Sequence, residues 1–250
     1  MRRVLLKYPK KVKQFMAAIS ARMVEAVKNR HSVVLGMTRS GKTWFTAKML
    51  KKLQATGVHT IFVDPKHDAD YQDLGVVCYS PIEAYALLLK KTPAIVMRTP
   101  ATSPENAEAL DRLVELLFQL QKTPGFRRIR RVVAIDELQL YAKKGNSRAI
   151  EMIWTVGAGV GITGVALTQR MQLLNDTAYT QSENKFIFKI DDRPEYLRSK
   201  NLDHYPRDFF FDEMNKYWFY YTMGGGGWKK HEPLTDDKPK RKKNLRLNRW

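Results

Sequence analysis

Apolar positions along the chain follow two rhythms. From Pro9 to Arg30, Val12, Phe15, Met16, Ile19, Met23 and Val27 recur at helical spacing, and Pro9 stands where a helix can start. The other face of this predicted helix is basic, with Lys10, Lys11, Lys13, Arg22 and Lys28. It suits a helix docked on a core, a subunit contact or a nucleic-acid contact. From His31 onward, short apolar runs alternate with longer amphipathic stretches. The runs predict strands over Ser32–Gly36, Thr60–Lys66, Ala94–Pro100, Arg131–Glu137, Ile162–Gln169 and Lys185–Ile190. Helices are expected over Lys42–Ala55, Pro104–Lys122 and Ser147–Val156. This alternation predicts an α/β fold, a mostly parallel sheet with helices on both faces.

After Asp191 the alternation stops. Lys216–Met223 is a candidate strand rich in aromatics, and Gly224–Gly227 is a turn or hinge. The end of the chain is strongly basic with few core-forming residues, and is expected to be disordered unless bound. The expected organisation is a basic N-terminal helical segment over 1–30 and a core over 31–191. A C-terminal extension of the same domain covers 192–235 and a basic tail 236–250.

Charge narrows the choice of partners. The 250 residues carry a formal net charge of +19, with a pI near 9.9. An excess of that size suits a polyanion, either nucleic acid or an anionic membrane surface. Cys78 is the single cysteine, so no intrachain disulfide is possible. The start has too short an apolar patch for a signal peptide, and no run approaches the ~20 apolar residues of a membrane span. The expected reading is a soluble, intracellular protein, or one assembled into a particle built inside cells.

"GMTRSGKT", Gly36 to Thr43, has the pattern G-x-x-x-x-G-K-[ST] between a predicted strand and a predicted helix. Gly36, Met37, Thr38, Arg39, Ser40 and Gly41 are expected to wrap phosphate oxygens with backbone N–H groups. Lys42 reaches the β- and γ-phosphates of ATP, and Thr43 offers a hydroxyl to Mg²⁺. "VVAIDEL" ends a second apolar strand on two carboxylates. Asp136 is expected to hold Mg²⁺ through water, and Glu137 to act as general base toward an attacking water. A water-activating carboxylate favours a hydrolase over a phosphotransferase. "GVALTQR" carries a third apolar run to the same sheet edge, where Gln169 can bind the γ-phosphate or the water and Arg170 can neutralise developing charge.

Taken in order, "GMTRSGKT", "FVDPKHDADYQDL", "VVAIDELQLY", "GVALTQRMQLL" and "ENKFIFKI" resemble the FtsK–HerA superfamily of P-loop DNA-translocating ATPases, across about Ser32 to Ile190. The resemblance implies a RecA-like core that assembles as a ring, usually a hexamer, around double-stranded DNA. Lys42, Thr43, Asp136, Glu137 and Gln169 match its nucleotide site, Arg170 the basic residue after the Gln, and Asp64 and Lys66 its second-strand motif. Two departures stand out. Met171 replaces a common proline. Ala158 holds the place of an arginine that in relatives can reach a neighbouring subunit, which leaves Arg98, Arg148, Arg170 and Lys185 as alternative sources. The near-minimal core resembles the small genome-packaging ATPases of icosahedral viruses with an internal membrane, which implies capsid or viral membrane proteins as further partners. A plasmid, phage or cellular DNA-processing ATPase is the alternative in the same class. An ATP-gated assembly or membrane-docking protein is the alternative outside it.

Overall fold

In β1 (Ser32–Leu35), Val33 and Leu35 join one apolar cluster and Val34 the opposite one. In β5 (Arg131–Ile135), Val133 and Ile135 go one way, Val132 and Ala134 the other. Strands apolar on both sides must be covered on both faces. In the computed structural model, which describes residues 19–67, 69–100, 105–142, 147–190 and 217–234, helices supply both covers.

The helices α1 (Ala21–Asn29) and α2 (Lys42–Ala55) bring Val24, Val27, Phe45, Leu50 and Leu53 to one face. The other face is covered by α3 (Pro81–Leu89), α4 (Asn106–Lys122), α5 (Arg148–Glu151) and α6 (Asp176–Thr180), through residues such as Leu88, Leu113, Leu117, Ile150 and Ala178.

The remaining strands are β2 (His59–Asp64), β3 (Val76–Cys78), β4 (Ala94–Arg98), β6 (Ile162–Thr168), β7 (Asn184–Phe188), β8 (Phe219–Met223) and β9 (Lys229–His231). They form one nine-stranded sheet in the order β3-β4-β2-β5-β6-β1-β7-β8-β9. The strands β1 to β7 pair in parallel, and β8 and β9 are antiparallel additions. This is the mostly parallel, doubly wound α/β architecture that the alternation of elements predicts, and the RecA-like core that the family resemblance implies. Parallel strands place all their C-terminal ends on one edge, where such sheets bind ligands. The position of β6 matters most, because it separates β1 from β5. Thr168 at its end pairs with Leu35, and Ala166 pairs with Ile135.

All six strands expected in the core are present, with ends shifted by a few residues. The acidic pair lies just past β5, and β2 stops at Asp64 before Pro65. The last expected helix changes character. After α5 the backbone widens into a π turn at Met152–Val156 and then tightens into a 3-10 turn at Gly157–Val160. Among the described residues, four strands and α-helices are additional: β3, α3, α6 and β9. The α3 start is legible in hindsight. Ser80 caps it by accepting from Glu83 N at 3.2 Å, Pro81 follows, and the Glu83 carboxylate accepts from Tyr79 N at 2.9 Å.

The aromatic strand extends the core sheet. Phe45 of α2 packs against Phe186 and Phe219 with ring centroids 4.8 and 5.1 Å apart. Gly224 and Gly225, at φ 57° and 75°, turn the chain from β8 into β9. The part of the expected N-terminal helix before residue 19 and the basic tail lie outside the described residues.

Candidate nucleotide site

The loop from Gly36 to Thr43 is fastened to two strands. Gly36 N donates to Thr168 O at 3.3 Å, and Met37 N to Lys189 O at 2.7 Å. A Cβ on Gly36 would stand 2.6 Å from both Phe188 Cβ and Ser40 Oγ, so the loop closes this tightly only with glycine. Gly41, at φ 105°, turns the chain into α2 and offers no side-chain cap. The first turn of α2 also lacks acidic residues, so its N–H groups and partial positive charge remain suited to an anion. Lys42 is buried beneath the loop and donates to the carbonyls of Gly36 and Met37. Burial pushes its ammonium down to about 8, against the pull of Glu137 and Asp136.

The acidic pair has two different environments. Asp136 is buried; its Oδ1 accepts from Glu137 N at 3.0 Å, while Oδ2 has no hydrogen-bond partner and lies 3.6 Å from Lys66 Nζ. Burial pushes this carboxyl up to about 6, even with Lys66 opposing. A buried carboxylate oxygen left over in this way fits a site for a hydrated divalent cation. Glu137 is also buried, and its backbone is left-handed at φ 47°, ψ 57°. That conformation is costly for a residue with a Cβ and clusters at functional sites. Burial alone would raise its carboxyl, but hydrogen bonds from Lys66, Gln139 and Gln169 outweigh it and hold the group below the usual range.

A carboxylate can only accept, and this fixes the direction of the network. The Gln169 amide must turn its NH₂ to Glu137 Oε1, so its carbonyl accepts from the Thr38 hydroxyl at 2.8 Å. Gln139 likewise turns its NH₂ to Glu137 Oε2 at 2.5 Å and accepts from the Thr168 hydroxyl at 2.8 Å. Lys66 Nζ donates to Oε1 as well. The path runs from the phosphate loop through Thr38 and Gln169 to Glu137, with Lys66 arriving from β2.

A cavity of about 710 Å³ opens on this edge, lined by the loop from Thr38 to Trp44, by Lys66 and Gln169, and by Tyr217, Pro233 and Leu234. The last three give it an apolar side beside its cationic one. Its size is that of a pocket for a small ligand. The structure thus gathers Gly36 to Thr43, Asp136, Glu137 and Gln169 at one place. It leaves Arg170 apart: that side chain is exposed and does not line the cavity. The other candidate arginine substitutes lie elsewhere. Arg98 faces Asp64 at 3.7 Å, Arg148 pairs with Glu115 at 2.7 Å, and Lys185 donates to Ser182 O at 2.6 Å near the start of β7. Ala158 is exposed in the turn that leads into β6. Sequence reasoning missed Gln139, Tyr217 and Leu234. Gln139 had one signal, its place two residues after Glu137.

The opposite edge of the sheet is basic. Lys90 and Lys91 precede β4; Lys122, Arg127, Arg128 and Arg130 precede β5; all six are exposed. Lys91 Nζ lies 5.4 Å from the Phe126 ring centroid, which joins the two loops. Arg131 differs from its neighbours in the run. It is buried, donates to Gln121 and to Phe126 O at 3.4 Å, and burial pushes it down to about 10.

Residues 20–156, more than half of the chain, match the model of the helicase HerA central domain. The chain belongs to that family. It is an ATPase of the HerA/FtsK type, in the FtsK–HerA superfamily. Solved structures with a similar fold include the genome-packaging NTPase B204 of Sulfolobus turreted icosahedral virus 2 in complex with sulfate. That protein is 18% identical with a TM-score of 0.65 over 83% of this chain and 98% of its own. The same protein in complex with ATP-gammaS is 19% identical, TM-score 0.63, over 83% and 99%. VirB4 of Thermoanaerobacter pseudethanolicus is 10% identical, TM-score 0.60, over 83% and 90%. No curated protein sequence matches the chain. Among the described residues, no helix is long and apolar enough to cross a membrane.

Proposed function

We propose that this HerA-type ATPase hydrolyses ATP to move double-stranded DNA, and that its task is to package a viral genome into a preformed capsid. The observation that carries the hydrolase reading is the convergence on Glu137. A buried carboxylate is positioned by Gln169, which is itself hydrogen-bonded to the phosphate loop. A phosphotransferase has no use for a water-activating base there.

The triphosphate binds with its phosphates on the loop N–H groups and Lys42, and its base against Tyr217, Pro233 and Leu234. Thr43 and, through water, Asp136 would hold Mg²⁺, which would neutralise phosphate charge. Glu137 takes a proton from water as the water oxygen bonds to the γ-phosphorus. The bond from that phosphorus to the β–γ bridging oxygen breaks, leaving ADP and phosphate. Gln169 orients the water and links Glu137 to the loop through Thr38. Arg170, exposed beside this edge, is suited to act across a subunit contact in a ring, usually a hexamer in this superfamily.

The basic edge and the net charge of +19 support a partner read through its phosphates, without sequence preference. The likeness in fold to a virus packaging NTPase supports the packaging task, with capsid or viral membrane proteins at the docking vertex. The test is the ATPase rate with and without double-stranded DNA, for wild type and Lys42→Ala. Stimulation by DNA and loss of turnover in the variant are expected. Turnover that survives Lys42→Ala removes the hydrolase reading, and turnover indifferent to DNA removes the motor.

A further inference from the structure

Glu137 Oε1 is the carboxylate oxygen that meets the cavity-lining residues, and it already has two donors, Lys66 and Gln169. An sp² oxygen offers two lone pairs. This oxygen therefore has none left for a water until one donor leaves. Glu137 Oε2 is turned to Gln139, which does not line the cavity.

The two donors on Oε1 differ in how easily they leave. Gln169 is tied at both ends, to Glu137 and to Thr38. Lys66 is a flexible cation with 37% of its side chain exposed; it lines the cavity beside Lys42 and reaches both Glu137 and Asp136. Pro65 ends β2 and Lys66 N is held by Asp64 Oδ1 at 3.1 Å, so the backbone is fixed while the ammonium can turn. A terminal phosphate arriving on the loop is a stronger anion than one carboxylate and stands on the same side.

We propose that Lys66 is a phosphate-operated latch: it holds Glu137 until a nucleoside triphosphate draws its ammonium onto the terminal phosphate, which frees Oε1 for water. The proposal rests on the ATPase reading above and adds a regulatory step to it. Lys66 then distinguishes triphosphate from diphosphate, because only the former offers the competing anion.

The test is the pair of dissociation constants for ATPγS and ADP in wild type, Lys66→Met and Lys66→Arg, with thermal unfolding as a folding control. A charged hydrogen bond accounts for roughly a tenfold to hundredfold change in affinity. Lys66→Met should lose a preference of that size for ATPγS with ADP affinity unchanged, and Lys66→Arg should keep most of it. Lys66→Gln replaces the Met variant if that one does not fold. Glu137→Gln releases the latch, so it should bind ATPγS more tightly, and the gain should vanish when Lys66→Met is added. An unchanged ATPγS-to-ADP ratio in Lys66→Met overturns the latch while leaving the ATPase reading intact. So does a gain that persists in the double variant, since loss of the Glu137 charge would then suffice. Wild-type protein that binds neither nucleotide overturns the ATPase reading, and the latch with it.

Discussion

Gly164 lies against the indole of Trp154, where a Cβ would stand 2.6 Å from both Cζ2 and Cη2. The indole cannot step aside freely, because its Nε1 donates to Ser182 Oγ at 2.9 Å. The strand that carries Gln169 to the site therefore meets the π turn covering it at a residue with no side chain. Gly164→Ala should destabilise the fold by about 1–3 kcal/mol, as overpacking does in a filled core. Urea unfolding measures it, and a stability equal to wild type would show that Trp154 has room to move.

Glu137→Gln keeps the shape of the base and removes its charge. Hydrolysis should fall by about 10²–10⁴-fold, the usual contribution of general acid–base catalysis, while nucleotide binding persists. Gln169→Ala should lower turnover too, because it cuts the tie between Glu137 and Thr38. Single-turnover assays with bound nucleotide followed separately distinguish both from a failure to bind.

If Arg170 serves the neighbouring subunit, two defective chains should repair one another. Arg170→Ala retains its own Glu137, and Glu137→Gln retains its own Arg170. Mixed rings contain contacts that combine an intact Glu137 with an intact Arg170 from next door. Turnover of the mixture should exceed the average of the two separate variants. A mixture that never exceeds that average places Arg170 outside the shared site.

His31 makes stability depend on pH. Its Nδ1 accepts from Gly164 N at 3.0 Å, and burial pushes it down to about 4. The unfolded chain binds a proton near the ordinary value of about 6.5. Between these values the unfolded state holds more protons, so stability is full above pH 6.5 and falls as pH drops toward 4. A shift of this size corresponds to about 3 kcal/mol at the acid end. His59 and His231 shift in the same direction. The comparison is therefore with His31→Gln, which should flatten part of the dependence in urea unfolding between pH 7 and 5.

The basic edge predicts how DNA binding responds to salt. Arg127, Arg128 and Arg130 are exposed on one loop, and Arg131, fixed below them, is buried. Replacing the three exposed arginines by glutamine should weaken duplex binding equally for unrelated sequences. It should also reduce the slope of log affinity against log salt by up to about three phosphate contacts. An unchanged slope would assign the DNA contact to another surface.

The sequence by itself determined what depends on neighbours along the chain. The apolar runs and the loop from Gly36 to Thr43 fixed the strand–loop–helix unit, because side-chain alternation, glycine freedom and helix starts are local physics. The alternation of strands and helices fixed the parallel sheet. Short elements escaped: β3 has three residues, too few for a period to emerge, and α3 announced itself only by its cap. What the sequence left open is who meets whom. Lys66 is 71 residues from Glu137, and Gln169 is 32 residues beyond it. Their meeting depends on β6 lying between β1 and β5 and on β2 pairing with β5, and no local pattern encodes strand order. The same packing separated neighbours in sequence, turning Gln169 into the site and leaving Arg170 outside it. Strand order is set by long-range burial of both sheet faces. For that reason the residue types of this site are written in the chain, while its hydrogen-bond network exists only in the fold.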